Sequence, residues 1–162
     1  MANRFRKSPP VCLGISLIRL IAGNLRYSKT YLGNTVIMED GSEFRIFRHI
    51  TIHPLNQDNS TIVFIVRFKF AHLSHNANKL ASIIPMLLIT GFPGFITKMY
   101  AVNLINGYWQ GMYQWKSADH LQEYKKSFVF RIMNKRAIRD SISSSEFQNP
   151  NLIDLIEGRK NP

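Results

Sequence analysis

One cysteine, Cys12, stands in a chain of 162 residues. An intramolecular disulfide and a cysteine metal cluster are therefore excluded, and nothing points to an oxidising compartment. Acids are scarce as well: ten Asp and Glu face 21 Lys and Arg, for a net charge of +11. The few carboxylates are scattered. No paired-carboxylate motif, Ser-His-Asp order or glycine-rich phosphate loop stands out, so hydrolase chemistry is poorly supplied. Long apolar runs are also missing. VCLGISLIRLIA, residues 11–22, is broken by Arg19 and falls far short of the roughly 20 apolar residues that span a bilayer. Pro9-Pro10 sits where a signal helix would begin. The segment reads as an amphipathic helix over residues 11–25 that packs on its own domain, with a membrane-surface contact or a signal as the alternatives.

What is present is a globular composition, 45% hydrophobic and 19% charged, with room for a real core. The positive charge is clustered. Arg4, Arg6, Lys7, Arg19, Arg26 and Lys29 share residues 1–30 with no acid, and Lys125, Lys126, Arg131, Lys135, Arg136 and Arg139 share residues 125–139 with none. Such clusters suit anionic partners: lipid headgroups, nucleic acid or an acidic small molecule. Of the five histidines, His72 and His75 are spaced to share one side of a helix start, but no acid near in sequence offers a third ligand, so no metal site is expected. His120 is the one histidine weighed as an acid or base.

The chain divides into an N-terminal arm (residues 1–60), a main domain (61–150) and a tail (151–162). The arm holds a floppy basic stretch to residue 10, the helix ending near Gly23, and a hairpin turning at Asp40-Gly41. PLNQDNS, residues 54–60, is loop by composition and marks the boundary. The main domain reads strand, helix, strand, strand, helix, strand. In TIVFIVRFKF, residues 61–70, Ile62, Phe64, Val66, Phe68 and Phe70 make one apolar face, while Val63, Ile65, Arg67 and Lys69 make a mixed one. Ser74 caps a helix to about Ile89, and Pro85 should kink or split it. Residues 95–103 form the next strand, Asn106-Gly107 turns the chain, and YWQGMYQWK follows as a strand. Ser117 caps a helix to about Met133 on the stripe Leu121, Tyr124, Phe128 and Ile132. A short strand near 141–147 finishes the unit, and LIDLIEG adds a helical turn.

This order predicts an α+β, ferredoxin-like βαββαβ antiparallel sheet with two helices on one face, extended by the N-terminal helix and hairpin. The other face carries enough apolar surface to need a roof: about 400 Å² at about 25 cal/mol per Å² is on the order of 10 kcal/mol. A second sheet or a ligand should supply it. Trp109, Tyr113, Trp115 and Tyr100 are the candidate walls of a pocket for a flat apolar compound. Arg67 or Lys98 could hold its phenolate or carboxylate oxygen. No catalytic proton acceptor is identifiable.

The segments GFPGFITKMY and GYWQGMYQWKSADHLQEY resemble the dimeric α+β barrel superfamily, and within it the YdhR-type monooxygenases related to the antibiotic-biosynthesis monooxygenases. The residues that carry the likeness are Pro93-Gly94, Lys98, Tyr100, Gly111, Tyr113, Trp115 and Ser117, over residues 61–147. The resemblance implies a homodimer that joins two sheets into a barrel, and a small apolar pocket between sheet and helices. It implies a cofactor-independent monooxygenase acting on a small aromatic, quinol or polyphenol-like compound. Haem-degrading members place a tryptophan and an axial histidine where this chain has Tyr124 and Asn134, so no haem is expected. The alternatives are a non-catalytic ligand-binding or membrane-docking barrel, with residues 1–26 on an anionic surface, and a nucleic-acid-binding ferredoxin-like domain. RNA-recognition strands need a basic-Gly-aromatic run that is absent here. A cytoplasmic location is expected, with peripheral membrane contact as the variant.

Overall fold

The computed structural model describes residues 8–53, 61–148 and 151–159. The expected loop at 54–60 and most of the basic tail lie outside them. In chain order the elements are α1 (Pro9–Ile21), β1 (Leu25–Tyr27), β2 (Thr35–Ile37), β3 (Glu43–Ile52), β4 (Ile62–Phe68), α2 (His75–Ala81), α3 (Ile83–Thr90), β5 (Phe95–Val102), β6 (Trp109–Trp115), α4 (Ala118–Lys125), α5 (Phe128–Arg136), a 3-10 turn (Arg139–Ser141), β7 (Ser143–Gln148) and α6 (Leu152–Glu157).

The strands form one antiparallel sheet in the order β1-β3-β5-β6-β4-β7, with β2 paired to β3. Strands β5-β6-β4-β7 with their two helical crossovers are the ferredoxin-like unit expected from the sequence. The N-terminal hairpin extends that same sheet: β3 pairs along β5, from Arg45 opposite Val102 to Thr51 opposite Thr97. Asp40-Gly41 does turn the β2–β3 hairpin. Gly41 has φ of +74°, which glycine adopts without strain, and Asp40 Oδ1 accepts from the Ser42 amide at 3.1 Å.

Three helices depart from expectation. The first starts at Pro9 rather than Val11, because prolines at the first two positions forfeit only amides that have no partner there. It also ends sooner, and Leu25 opens β1. The helix after Ser74 is split, but at Ser82 rather than at the proline. Pro85 then falls in the first turn of α3, where its missing N–H breaks no bond. The helix after Ser117 is split as well. Ser127 caps a fresh start by accepting from the Phe130 amide, so Val129 is buried there and Phe128 and Ile132 are not.

Strand alternation separates two cores. On the helix face lie Phe64, Val66, Phe68, Tyr100, Trp109, Tyr113 and Trp115 under α3, α4 and α5. On the second face lie Val63, Ile65, Met99 and Met112 with Val36 and Phe44 of the hairpin. This second face is roofed by the chain itself, which corrects the expectation that a twin copy or guest must cover it. Leu152 and Ile156 of α6 are fully buried against it. The Leu152 amide donates to Gln114 Oε1 at 3.1 Å, and the Ile37 amide to the Arg159 carbonyl at 2.9 Å. Six helical residues, held at both ends, supply the missing apolar cover.

Candidate functional site

Between the sheet and α3, α4 and α5 the helix-face core is incompletely filled. About 50 Å³ is free there, walled by Lys98 and Tyr100 of β5, by Trp109, Gly111 and Tyr113 of β6, and by Tyr124 of α4. Its more exposed lining is Pro85 of α3 with Ile132, Met133 and Arg136 of α5. The parity of β5 and β6 aims these side chains inward together, since Lys98 pairs with Tyr113 and Tyr100 with Gly111. Gly111 has a steric reason. A Cβ there would stand 2.6 Å from the ring of Tyr113, so only glycine lets that ring lean across the strand.

Lys98 is the unusual group. It is 7% exposed, and its Nζ sits 3.8 Å from the centre of the Tyr100 ring and 4.2 Å from that of Tyr113. Among the described residues it has no carboxylate partner and no hydrogen-bond acceptor. Burial, reinforced by the Arg48 charge, holds its pKa well below the usual lysine value. A cation on two aromatic faces gains some attraction, but less than a lost water shell returns. The amine is therefore drawn toward its neutral, proton-accepting form.

The neighbours are also unsatisfied. Tyr100 Oη and Trp115 Nε1 are buried without a partner, and Tyr124 reaches Tyr113 across a long 3.4 Å hydroxyl contact. Burial raises the pKa of Tyr100, Tyr113 and Tyr124, so all three stay protonated. Two arginines frame the site. Arg48 is fixed by Ser82 Oγ at 2.7 Å and the Lys79 carbonyl at 3.0 Å, with its guanidinium 5.3 Å from the Tyr100 ring centre. Arg136 is tied to Asn78 Oδ1 at 2.9 Å and lies over Phe70.

Of the six residues expected to bind substrate, four meet here: Lys98, Tyr100, Trp109 and Tyr113. Trp115 belongs to the same face but is fully buried beneath it, stacked on Tyr124 at 4.8 Å. Arg67 is elsewhere. It neighbours Phe68 on β4, so it points to the opposite face, where it pairs with Asp40, bonds Gln110 and covers Phe44. The shallow grooves beside it hold Arg67 and Arg159, and both cations already meet carboxylates. His120 is a structural clamp: its Nδ1 lies 2.9 Å from Ser117 Oγ, and its ring fills the space above Gly94. His75 backs the Trp109 ring at 4.8 Å. The described residues contain no cluster of three potential metal ligands. Arg48, Arg136 and Tyr124 were not foreseen as pocket residues. Arg136 had a signal: it lies seven residues after Val129, on the same face, once the helix restarts at Ser127.

No protein-family model matches the sequence, and no curated protein matches it. Solved structures do match. An uncharacterised ferredoxin-fold protein from Listeria monocytogenes, related to antibiotic-biosynthesis monooxygenases, has a TM-score of 0.53 at 15% identity, over 83% of this chain and 88% of its own. A monooxygenase-like protein from Listeria innocua has a TM-score of 0.51 at 15% identity, over 70% and 68%. A monooxygenase candidate from Fusobacterium nucleatum, at 14% identity and a TM-score of 0.48, is matched over 66% of this chain, which spans about half, 49%, of that protein. At these identities the likeness establishes the fold, and the chain shares the ferredoxin fold of the Listeria monocytogenes protein.

Proposed function

We propose that the pocket binds a small aromatic compound with an ionisable hydroxyl, and that the protein is a cofactor-independent monooxygenase of such compounds. The observation that carries this reading is the unpaired amine of Lys98 between two aromatic faces. It fills the role of proton acceptor that the sequence had left open. Lys98 Nζ takes the phenolic proton, and the resulting anion faces the ammonium it has just made, with Arg48 nearby. Electron density then rises on a ring carbon, which gives one electron to dioxygen. Closure of the radical pair forms a C–O bond. The hydroperoxide loses water as the O–O bond breaks, leaving a carbonyl at that carbon. A phenol and O₂ thus become a quinone and water, and Lys98 returns its proton to the departing oxygen. The apolar walls keep bulk water from quenching the anion.

Size limits the bound state. About 50 Å³ holds a few waters and falls short of the roughly 150 Å³ of a site that accepts benzene. A ring must therefore displace part of the more exposed lining. Met133, half-buried and unbranched, and the exposed Ile132 are the side chains that give way. The test is oxygen uptake with a panel of quinols and polyphenols, alongside quenching of Trp109 fluorescence. Uptake matched one-to-one by quinone, and its loss in Lys98→Met, is the expected result. The absence of both quenching and uptake across the whole panel would overturn the reading.

A further inference from the structure

Helix α1 is mounted inside out. Its inward face is Cys12, Ser16 and Arg19, and the bonds that hold it are polar. Ser16 Oγ lies 2.9 Å from Thr90 Oγ1 and donates to the Leu87 carbonyl, while Arg19 donates to the Thr90 carbonyl. The helix approaches α3 closely because residue 91 is glycine: a Cβ there would stand 1.9 Å from the Cys12 carbonyl oxygen. Leu13 still packs against the core, but spacing at 3.6 residues per turn sends the apolar residues of the last turns outward. Leu17 is 51% exposed, Ile18 68% and Ile21 86%. An ordinary surface helix does the reverse.

The exposed apolar surface continues onto α3. Cys12 lies against Gly91 and Ser16 against Leu87, so α1 runs antiparallel to α3. Continuing that antiparallel run by one turn brings Leu20 of α1 level with Ile83 and Ile84 of α3. These are exposed too, Ile84 at 65%. Single exposed apolar residues are common, but a contiguous set spanning two helices is the mark of an interaction surface.

Its charge selects the partner. Residues 8–38 and 61–118 contain no acid, yet they hold the exposed Arg26 and Lys29 among other cations. Arg26 stands on β1, just after α1, its Nε donating to the Gly23 carbonyl, and the half-exposed Tyr27 beside it reaches Met86 Sδ. Aliphatic side chains in the middle, with a tyrosine and cations at the rim and no carboxylate, match the layers of a bilayer surface. A second copy fits poorly, because this chain carries +11 and like charges would meet at the rim.

We infer that the face formed by α1 and α3 docks on anionic lipid bilayers, inserting Leu17, Ile18 and Ile21 below the headgroups. No described helix is long and apolar enough to cross a membrane, so the contact is peripheral. The inference is independent of any reaction in the pocket.

The test is sedimentation of the full-length chain with vesicles of phosphatidylcholine alone or with 30% phosphatidylglycerol, at 50 and 500 mM NaCl. Binding should favour the anionic vesicles at least tenfold and weaken with salt. I18S/I21S should lower partitioning at least tenfold at both salt levels. Arg26→Gln should lower it about fivefold at low salt only, the value of one surface cation. These residues are exposed, so an unchanged melting curve confirms that the variants fold. Equal binding to both vesicle types, or unchanged binding by I18S/I21S, overturns the inference. So does a dimer that I18S/I21S dissociates in a protein that ignores vesicles, which would assign the patch to a second copy.

Discussion

On the second face of the sheet, Val63, Met99 and Met112 are completely buried beneath Leu152 and Ile156, and Gln114 there finds a backbone partner. On the helix face, one residue along the same strands, Lys98 has no acceptor among the described residues, Tyr100 Oη, Trp115 Nε1 and His75 Nε2 have no partner, and free volume remains. The backbone, its register and the strand chemistry are shared, so the difference lies in what each side chain was selected to do. The second face resembles a core that maximises burial, with one orphaned atom, His49 Nδ1, and an open groove beside Arg67. The helix face keeps polar groups where they cost stability, as binding sites do. The contrast also shows why six residues of α6 matter: with the apolar centre of one face covered by its own chain, the other can hold a flaw.

The most severe way to break this comparison is Lys98→Met, which fills nearly the same volume without the amine. If Lys98 is the base, turnover on a quinol substrate should fall by roughly 10²- to 10⁴-fold. Stability should move the other way and rise by about 1–2 kcal/mol, because an unpaired buried amine is lost. The sign follows from the depressed pKa. Lys98 is neutral in both states above the ordinary value of 10.5. As pH falls below it, the unfolded chain takes a proton that the folded chain resists. The gain of the variant should therefore grow as pH falls from about 10.5. A loss of stability at neutral pH, measured by denaturant titration, would show that the amine is a structural element.

Leu152→Ala and Ile156→Ala probe the opposite face. Each should cost about 2–5 kcal/mol, the range for truncation in a packed core, and leave ligand quenching of Trp109 unchanged in the folded fraction. A cost under about 1 kcal/mol would mean that α6 lies loosely and the second face depends on another cover.

His49 gives a pH-dependent view of the same face. Its Nε2 lies 3.0 Å from Thr97 Oγ1, whose own proton goes to the Ile50 carbonyl. The imidazole is thus the donor, and its buried Nδ1 has no partner. Burial pulls its pKa from 6.5 to about 4. The unfolded chain gains a proton first as pH falls, so stability is full above pH 6.5 and drops between there and about 4. The drop should be about 3.5 kcal/mol at most, at about 1.4 kcal/mol per pH unit. In His49→Gln this segment of the pH profile should flatten. An unchanged slope would locate the titrating group elsewhere.

Much of this architecture was legible from local signals. Alternation in residues 61–70 separated the two faces, Asp40-Gly41 and Asn106-Gly107 placed turns, and Ser74 and Ser117 capped helices. The pocket residues were legible only as a set drawn from both faces. Arg67 and Lys98 look alike as cations on apolar strands, and nothing in either strand says which face has the void. That depended on α6, a short segment whose Leu152 and Ile156 read as a stray turn until its distant partners were known. Likewise, the N-terminal run gave the right helix but not its orientation. The polar bonds of Ser16 and Arg19 to α3, which turn the apolar side outward, join residues more than 70 positions apart.

The smallest effect concerns the Arg67–Asp40 pair, and it decides whether burial or charge holds the second face. Asp40 is half exposed and Arg67 mostly buried. The hydrogen bond from Arg67, and then the Ser42 amide, hold the carboxyl below its usual range. Exposure discounts that shift heavily, and pairs of this kind contribute roughly 0.2–1 kcal/mol. Asp40→Asn keeps an oxygen for the Ser42 amide and removes the charge, whereas Asp40→Ala removes both. Asn should therefore cost about 0.5 kcal/mol, nearly all of it abolished in 0.5 M salt, and Ala somewhat more through the turn. The contribution is present above the ordinary carboxylate value near 3.8 and fades as pH falls below it. If Asn instead costs 2 kcal/mol or more at neutral pH, the hairpin is clamped to the sheet by charge. The second face would then be no purer a hydrophobic core than the first.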